Sequence, residues 1–320
     1  MHDSCVALLD LAVAVELVAC LSQRRSQMTN GPQFVERSFD TGQVVINYAE
    51  TGGSGTALLL LHGATHNWHS FDEFLPKLSA SWPIYACNLR GHGGSGWARS
   101  GYRIVDFASD ISSFLANRIG QPAILIGYSL GASVAIQVAA TLPRMVAGAI
   151  LIEPGLAMRE LAFADAFDAD LYDYLTWISE TIKSDPPTEQ IMHRWLEHME
   201  TAGVDAPDIE EAQTTAVALK ALDPRCIDDS LQDRSNEGFD VEEALSEICC
   251  PTLLLCGEPQ LGSLVRDSDL ELFKSSVVHG TAIRITGAGH GIDRDQPGEA
   301  VLGHIVSFLD SLRDRSLSSS

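Results

Sequence analysis

The chain has 320 residues, of which 45% are hydrophobic and 20% charged, a composition typical of a folded globular protein rather than of a disordered or collagen-like chain. With 21 Lys and Arg against 43 Asp and Glu, the formal net charge is −22, and a charge of this sign repels nucleic-acid backbones and anionic membrane surfaces. We therefore expect neither a nucleic acid nor a membrane as a partner.

The N-terminal 33 residues are predicted to form a helical extension ahead of the main fold. Residues 6–21 read VALLDLAVAVELVACL, and Asp10 and Glu16 interrupt an apolar run that is too short to cross a bilayer unaided. No Lys or Arg precedes this run, so it lacks the charge typical of a signal peptide. The pattern favours an amphipathic helix that docks on the body or on a second subunit, and a homodimer is the assembly we expect.

From residue 34 onward, short β-rich runs alternate with longer helical patterns, which predicts an α/β fold with a mostly parallel sheet flanked by helices. The predicted strands are 44–48, 57–61, 84–87, 123–126, 149–152, 252–256 and 282–285. Apolar residues recur at three and four positions in the predicted helices, which are 102–119, 129–142 and 297–313.

The stretch 156–250 interrupts this alternation and is predicted to be helical. Between residues 156 and 247 it has 23 acidic and 6 basic residues, and so carries −17 of the net charge of −22. A solvated acidic helical face explains this skew. We therefore divide the chain into an extension (1–33), a core (34–155 and 251–320) and a helical insertion (156–250).

The seven cysteines are odd in number and none has CxxC spacing. A chain of this length does not need disulfides, so we interpret these residues as reduced thiols of a cytoplasmic protein. No cluster of His, Cys or carboxylates has the spacing of metal ligands, and we expect neither a metal nor an organic cofactor.

The sequence Gly-Tyr-Ser-Leu-Gly at 127–131 joins a predicted strand to a predicted helix. A Gly-x-Ser-x-Gly turn in this setting makes a strained elbow that lifts the serine hydroxyl clear of the backbone, and a Cβ at either flanking glycine would clash. Ser129 is therefore the candidate nucleophile. The alternative is a helix cap of small residues with no chemistry.

Two further motifs follow predicted strands: His62-Gly63-Ala64, and a glycine-rich loop at 286–291 that contains His290. Together with the elbow, they resemble the motifs of the alpha/beta-hydrolases in kind and in chain order. The resemblance implies that His290 is the general base. It also implies that the backbone N–H groups of Ala64 and Leu130 form the oxyanion hole that stabilises a tetrahedral intermediate.

The resemblance covers about residues 34–312 and implies the alpha/beta-hydrolase fold, with residues 156–250 as a helical cap inserted after the sixth strand. Dehalogenases and epoxide hydrolases of this fold would need an aspartate in place of Ser129, so we disfavour both classes. His62 and His92 are interpreted as structural.

The acid of the expected triad is displaced. The family commonly has Gly-x-x-Asp after the strand 252–256, but Gln260 occupies the aspartate position here, and an amide does not supply the negative charge that stabilises an imidazolium. We favour Glu153, which follows the strand 149–152, although it could instead cap the first helix of the insertion. The alternatives are Glu258, Asp267 and Asp269.

A triad of Ser129, His290 and Glu153 is similar in acid placement to that of the zearalenone lactonases. The resemblance implies a small hydrophobic ester or lactone as substrate, such as a macrolactone, cleaved through an acyl-enzyme. Candidate walls of the substrate pocket are Tyr128, Trp177 and Trp195. A C–C bond hydrolase, a thioesterase and a catalytically silent small-molecule-binding protein remain alternatives.

Overall fold

A computed structural model describes residues 34–156, 166–201, 209–292 and 295–318. The predicted N-terminal helix at 6–21 lies outside these residues, so the homodimer stays a prediction. No helix in the described ranges is long and apolar enough to cross a membrane. The cytoplasmic location is likewise still a prediction.

Eight strands form one sheet in the order β1-β2-β4-β3-β5-β6-β7-β8. The first two pairings, β1 with β2 and β2 with β4, are antiparallel, and all others are parallel. The strands are β1 (Val35–Asp40), β2 (Val45–Glu50), β3 (Ala57–Leu61), β4 (Ile84–Cys87), β5 (Ala123–Tyr128), β6 (Val146–Ile152), β7 (Thr252–Cys256) and β8 (Gly280–Arg284). The predicted mostly parallel sheet is confirmed.

All seven predicted strands are present, and β3, β4 and β7 have the predicted bounds. Strand β1 is an additional strand that the sequence pattern does not predict. This strand lies at the edge of the sheet, where five of its six residues are exposed. Its sequence, VERSFD, therefore lacks the apolar run that marks the inner strands.

Ten α-helices occur in the described ranges. They are α1 (Leu75–Ser79), α2 (Ile104–Phe114), α3 (Leu130–Thr141), α4 (Ala166–Lys183), α5 (Thr188–Thr201), α6 (Ile209–Lys220), α7 (Pro224–Leu231), α8 (Val241–Ser246), α9 (Asp267–Ser276) and α10 (Asp295–Ser318). Between β6 and β7 the described elements are the helices α4 to α8, which confirms the helical character predicted for that stretch. The boundaries of the three domains stay a prediction.

Two predicted helices start too early. The helix predicted from residue 102 begins at Ile104, because Arg103 is its extended N-cap and its backbone N–H donates to Asp106. The helix predicted from Ser129 begins at Leu130, because Ser129 has a φ of 51°. The last helix, α10, is longer than predicted at both ends.

Apolar side chains pack on both faces of the sheet. Successive residues of β3 point to opposite faces: Leu59 and Leu61 belong to the core under α2, α3 and α8, whereas Leu58 and Leu60 belong to the core under α1 and α10. Every residue of β3, β5 and β7 is buried. The carboxyl ends of these strands therefore form a rigid base for the loops that follow them.

A buried ion pair gives a test of this packing. Arg90 Nε lies 2.6 Å from Asp110 Oδ2, and each side chain is 2% exposed. We expect Asp110→Ala to lower the free energy of unfolding by about 3–5 kcal/mol, because it leaves the Arg90 charge buried without a counter-ion. Urea unfolding measures the change.

The matched control is the exposed pair on α9, where Lys274 Nζ and Glu271 Oε1 are 2.9 Å apart with side chains 51% and 75% exposed. Glu271→Ala should cost less than about 1 kcal/mol. Equal losses in the two variants would contradict this account of the core.

Candidate active site

Ser129 occupies a sharp turn between β5 and α3. Its φ of 51° and ψ of −115° place a residue with a side chain in a sparsely populated region of backbone conformation. A Cβ added at Gly127 would lie 2.3 Å from the Gly131 carbonyl oxygen, and one added at Gly131 would lie 2.1 Å from that of Leu61. The predicted need for glycine at both flanks is confirmed.

Ser129 is half-buried immediately before the first turn of α3. Its side chain makes no capping hydrogen bond to α3. Leu130 is the first residue of α3, so its backbone N–H has no acceptor within the helix. The candidate nucleophile and one candidate oxyanion donor are therefore adjacent at a helix N-terminus, where the helix dipole favours negative charge.

The turn that carries Ala64 passes directly beside this elbow. A Cβ added at Gly63 would lie 3.4 Å from the Ser129 Cβ. His92 Nε2 lies 2.6 Å from the Ala64 carbonyl oxygen, and this contact helps to hold the turn in place. The two candidate oxyanion donors thus follow the neighbouring parallel strands β3 and β5.

His62 has a structural role. Its Nδ1 donates to the Gly63 carbonyl at 2.7 Å and its Nε2 accepts from the Leu89 N–H at 3.0 Å. Complete burial holds the pKa of His62 well below its usual value. The ring is therefore neutral and braces the turn, in line with the structural interpretation.

His290 is held by contacts to Tyr128, at the end of β5, and to Glu153, directly after β6. Tyr128 donates its hydroxyl proton to the His290 carbonyl at 2.9 Å, and the two rings stack with centroids 5.3 Å apart. The imidazole Nδ1 lies 3.2 Å from Glu153 Oε2. Since Nδ1 faces the carboxylate, Nε2 is the nitrogen left to exchange a proton.

Glu153 directly follows β6, is fully buried and has a φ of 50°. Its Oε1 accepts hydrogen bonds from the Gly257 N–H at 2.6 Å and the Ser263 hydroxyl at 2.7 Å. Its Oε2 accepts from the Leu264 N–H at 2.8 Å as well as facing His290. Four hydrogen-bond donors therefore surround this buried carboxylate and satisfy both of its oxygens.

The structure does not bring the alternative acids to His290. Glu258 Oε2 accepts from the Gly287 N–H at 3.2 Å in the loop itself. Asp267 forms an ion pair with Arg284 at 2.7 Å. The third alternative, Asp269, accepts from a backbone N–H at the start of α9.

Gln260 occupies the position at which the family commonly has its aspartate. This residue is exposed in a short turn after β7. Of the acids considered, Glu153 is the one that contacts His290.

The predicted substrate-binding residues have other contacts. Tyr128 is 5% exposed and supports His290. Trp195 is buried and donates its indole N–H to the Tyr174 hydroxyl at 3.2 Å, and Trp177 stacks on His198 with centroids 4.6 Å apart. The contacts of Trp195 and Trp177 lie between α4 and α5. A role for Tyr128, Trp177 and Trp195 in substrate binding stays a prediction.

Residues 58–303 match the alpha/beta hydrolase family. The chain belongs to that family. A crystal structure of E-2-(acetamidomethylene)succinate hydrolase superposes on this hydrolase with a TM-score of 0.66 at 22% identity, covering 87% of this chain and 100% of that one. This likeness confirms the fold.

Two curated relatives match parts of the hydrolase. It is 35% identical over 120 residues to 2-(acetamidomethylene)succinate hydrolase of Mesorhizobium japonicum, which is 38% of this chain and 43% of the relative. It is 35% identical over 130 residues to Lipase LipV of Mycobacterium tuberculosis, which is 39% of this chain and 48% of the relative. The chain thus spans less than half the length of either relative.

Proposed function

We propose that this hydrolase cleaves a carboxylic ester or lactone through an acyl-enzyme, with Ser129 as nucleophile, His290 as general base and Glu153 as acid. The observation that carries this proposal is the 3.2 Å contact between His290 Nδ1 and the buried Glu153 carboxylate. A histidine oriented by a buried carboxylate and a serine on a strained elbow are the groups that acyl transfer needs. The name of one relative, Lipase LipV, supports an ester as substrate.

The first half of the reaction forms the acyl-enzyme. Ser129 Oγ attacks the substrate carbonyl carbon while its proton moves to His290 Nε2, and the Glu153 carboxylate stabilises the resulting imidazolium. The negative carbonyl oxygen accepts from the N–H groups of Ala64 and Leu130, an interaction whose loss costs about 3 kcal/mol in comparable enzymes. The tetrahedral intermediate then collapses, and His290 returns the proton to the departing alkoxide.

The second half reverses these roles with water. His290 takes a proton from a water molecule as its oxygen attacks the acyl carbon, and the same two N–H groups hold the new oxyanion. When this intermediate collapses, Ser129 Oγ leaves and takes the proton back from His290. In a lactone, the alcohol and the acid stay joined in one product.

The charge of the insertion supports a neutral substrate. The insertion leaves the core beside Glu153 and returns at β7, and residues 156–247 carry −17. The electric field of these negative charges acts over about one Debye length, roughly 8 Å at physiological salt. It opposes the approach of anions. We therefore infer an uncharged apolar ester or lactone, zearalenone among the macrolactones, covered by the insertion as a cap with Tyr128, Trp177 and Trp195 as walls.

A second candidate is hydrolysis of a bond other than an ester. The name of one relative, 2-(acetamidomethylene)succinate hydrolase, favours this candidate. A succinate carries two carboxylates, which the acidic insertion would repel. We rank this candidate below the ester or lactone for that reason.

A substrate panel separates these candidates. Neutral aryl esters, aliphatic lactones and zearalenone should be hydrolysed, whereas matched esters of succinate should show KM values higher by about tenfold or more at low salt. Added salt should shrink that difference because it screens the acidic insertion. Hydrolysis of 2-(acetamidomethylene)succinate in preference to the neutral esters and lactones would instead support the second candidate.

A further inference from the structure

The loop between β7 and α9 donates hydrogen bonds to Glu153 and does not supply the acid that contacts His290. It carries no acid that contacts His290, and Gln260 is exposed where the family's aspartate was expected. Yet the Gly257 N–H, the Ser263 hydroxyl and the Leu264 N–H from this loop all donate to the Glu153 carboxylate, at 2.6 to 2.8 Å. The loop therefore surrounds an acid that comes from another strand.

The hydrogen bonds around Ser263 show where its single proton goes. The Val265 N–H donates to Ser263 Oγ at 3.1 Å, so the oxygen already acts as an acceptor. Its own proton has two acceptors within reach, Glu153 Oε1 at 2.7 Å and the Val265 carbonyl at 3.4 Å. The shorter bond to a charged oxygen is the stronger one, so this 5% exposed hydroxyl is directed at the carboxylate.

The same loop also packs against the loop that carries His290. The Glu258 N–H donates to the Ala288 carbonyl at 2.7 Å. A Cβ added at Gly257 would lie 2.4 Å from that carbonyl oxygen, and one added at Gly289 would lie 1.9 Å from the Leu261 carbonyl oxygen. Residues 257–265 therefore fix the acid and the base relative to each other.

We propose that Ser263 is a positioning residue, which together with the N–H groups of Gly257 and Leu264 holds the Glu153 carboxylate aimed at His290 Nδ1. In the family pattern this loop supplies the acid. Here it binds the carboxylate of an acid that follows β6. Ser263 itself does not touch substrate and acts through Glu153. This inference rests on the proposed function of Ser129, Glu153 and His290.

The test compares Ser263→Ala with Ser263→Thr, which keeps the hydroxyl. Without the hydroxyl, one of four donors to Glu153 is lost and the carboxylate can turn away from His290. We expect kcat on a neutral ester to fall by about 10- to 100-fold in Ser263→Ala, with KM changed less than about twofold, because misplaced catalytic groups affect the chemical step. Ser263→Thr should restore most of the lost kcat.

A proton NMR signal gives a readout that does not depend on turnover. The Nδ1 proton of His290, identified by its disappearance in His290→Gln, should shift or be lost to solvent exchange in Ser263→Ala and persist in Ser263→Thr. The control is Ser179→Ala, since Ser179 is also buried and donates to a carboxylate, Asp228, at 2.8 Å, but in the helical insertion. That variant should leave the His290 signal unchanged.

The outcomes separate this inference from the proposed function. An unchanged His290 signal with kcat within about twofold of wild type in Ser263→Ala would overturn the role of Ser263. Equal losses in Ser263→Thr would also overturn it, because packing rather than the hydroxyl would then be responsible. If the wild type hydrolyses no ester or lactone, the proposed function fails, and the NMR signal still decides whether Ser263 holds Glu153.

Discussion

Replacing Ser129 with alanine is expected to lower kcat on a neutral ester by at least about 10⁴-fold. The variant retains the two candidate oxyanion donors and any substrate pocket, which together leave a small residual rate. It has no oxygen on the elbow to form the acyl-enzyme. Steady-state kinetics on protein whose fold has been checked by circular dichroism measures the loss.

Ser133→Ala is the matched control for this variant. Ser133 lies one turn further along α3 and is buried, whereas Ser129 is half-buried. We expect its kcat to stay within about threefold of wild type. Turnover by Ser129→Ala at a rate near that of this control would exclude Ser129 as the nucleophile.

The second large effect is expected from Glu153→Gln, with kcat lower by about 10³- to 10⁴-fold. The amide has nearly the same shape but no charge to stabilise the imidazolium. Because both carboxylate oxygens of Glu153 face N–H donors, the new NH₂ group meets a donor in either orientation. If it faces His290, it donates to Nδ1 and places the ring proton on Nε2, the wrong tautomer for a base.

Glu258→Gln controls for the loss of a carboxylate near the same loops. Glu258 contacts the Gly287 N–H, and we expect its kcat to fall less than about threefold. A large loss in Glu258→Gln with little loss in Glu153→Gln would move the acid to the loop after β7. It would also remove the main reason for comparing this hydrolase with the lactonases.

The sequence predicts the central part of the site because its signals are local. The elbow at 127–131 and the histidine loop at 286–291 each show their character within six residues. Gln260 at the expected position of the acid directs attention to other carboxylates, and the structure has Glu153 in contact with His290. A local pattern was therefore enough to find the candidate groups.

The supporting residues were not visible in the sequence. Gly257 and Leu264 bind the carboxylate of Glu153 through backbone N–H groups across 104 and 111 residues of chain. Both contacts are made by backbone N–H groups, so no sequence motif marks them. Ser263 likewise lies in no recognised motif. Strand β1 was not predicted for another reason. It is an exposed edge strand, and such a strand does not need the run of apolar residues that marks a buried one.

Covalent labelling of the activated serine tests the central claim most directly. The hydrolase is mixed with a fluorophosphonate probe, which forms a stable bond to an activated serine, and the labelled peptide is identified by mass spectrometry. We expect one label, on Ser129, with a labelling rate lowered by at least about 100-fold in Glu153→Gln and unchanged in Glu258→Gln. A label on another residue, or no label on folded wild-type protein, would contradict the assignment of Ser129 as the activated nucleophile.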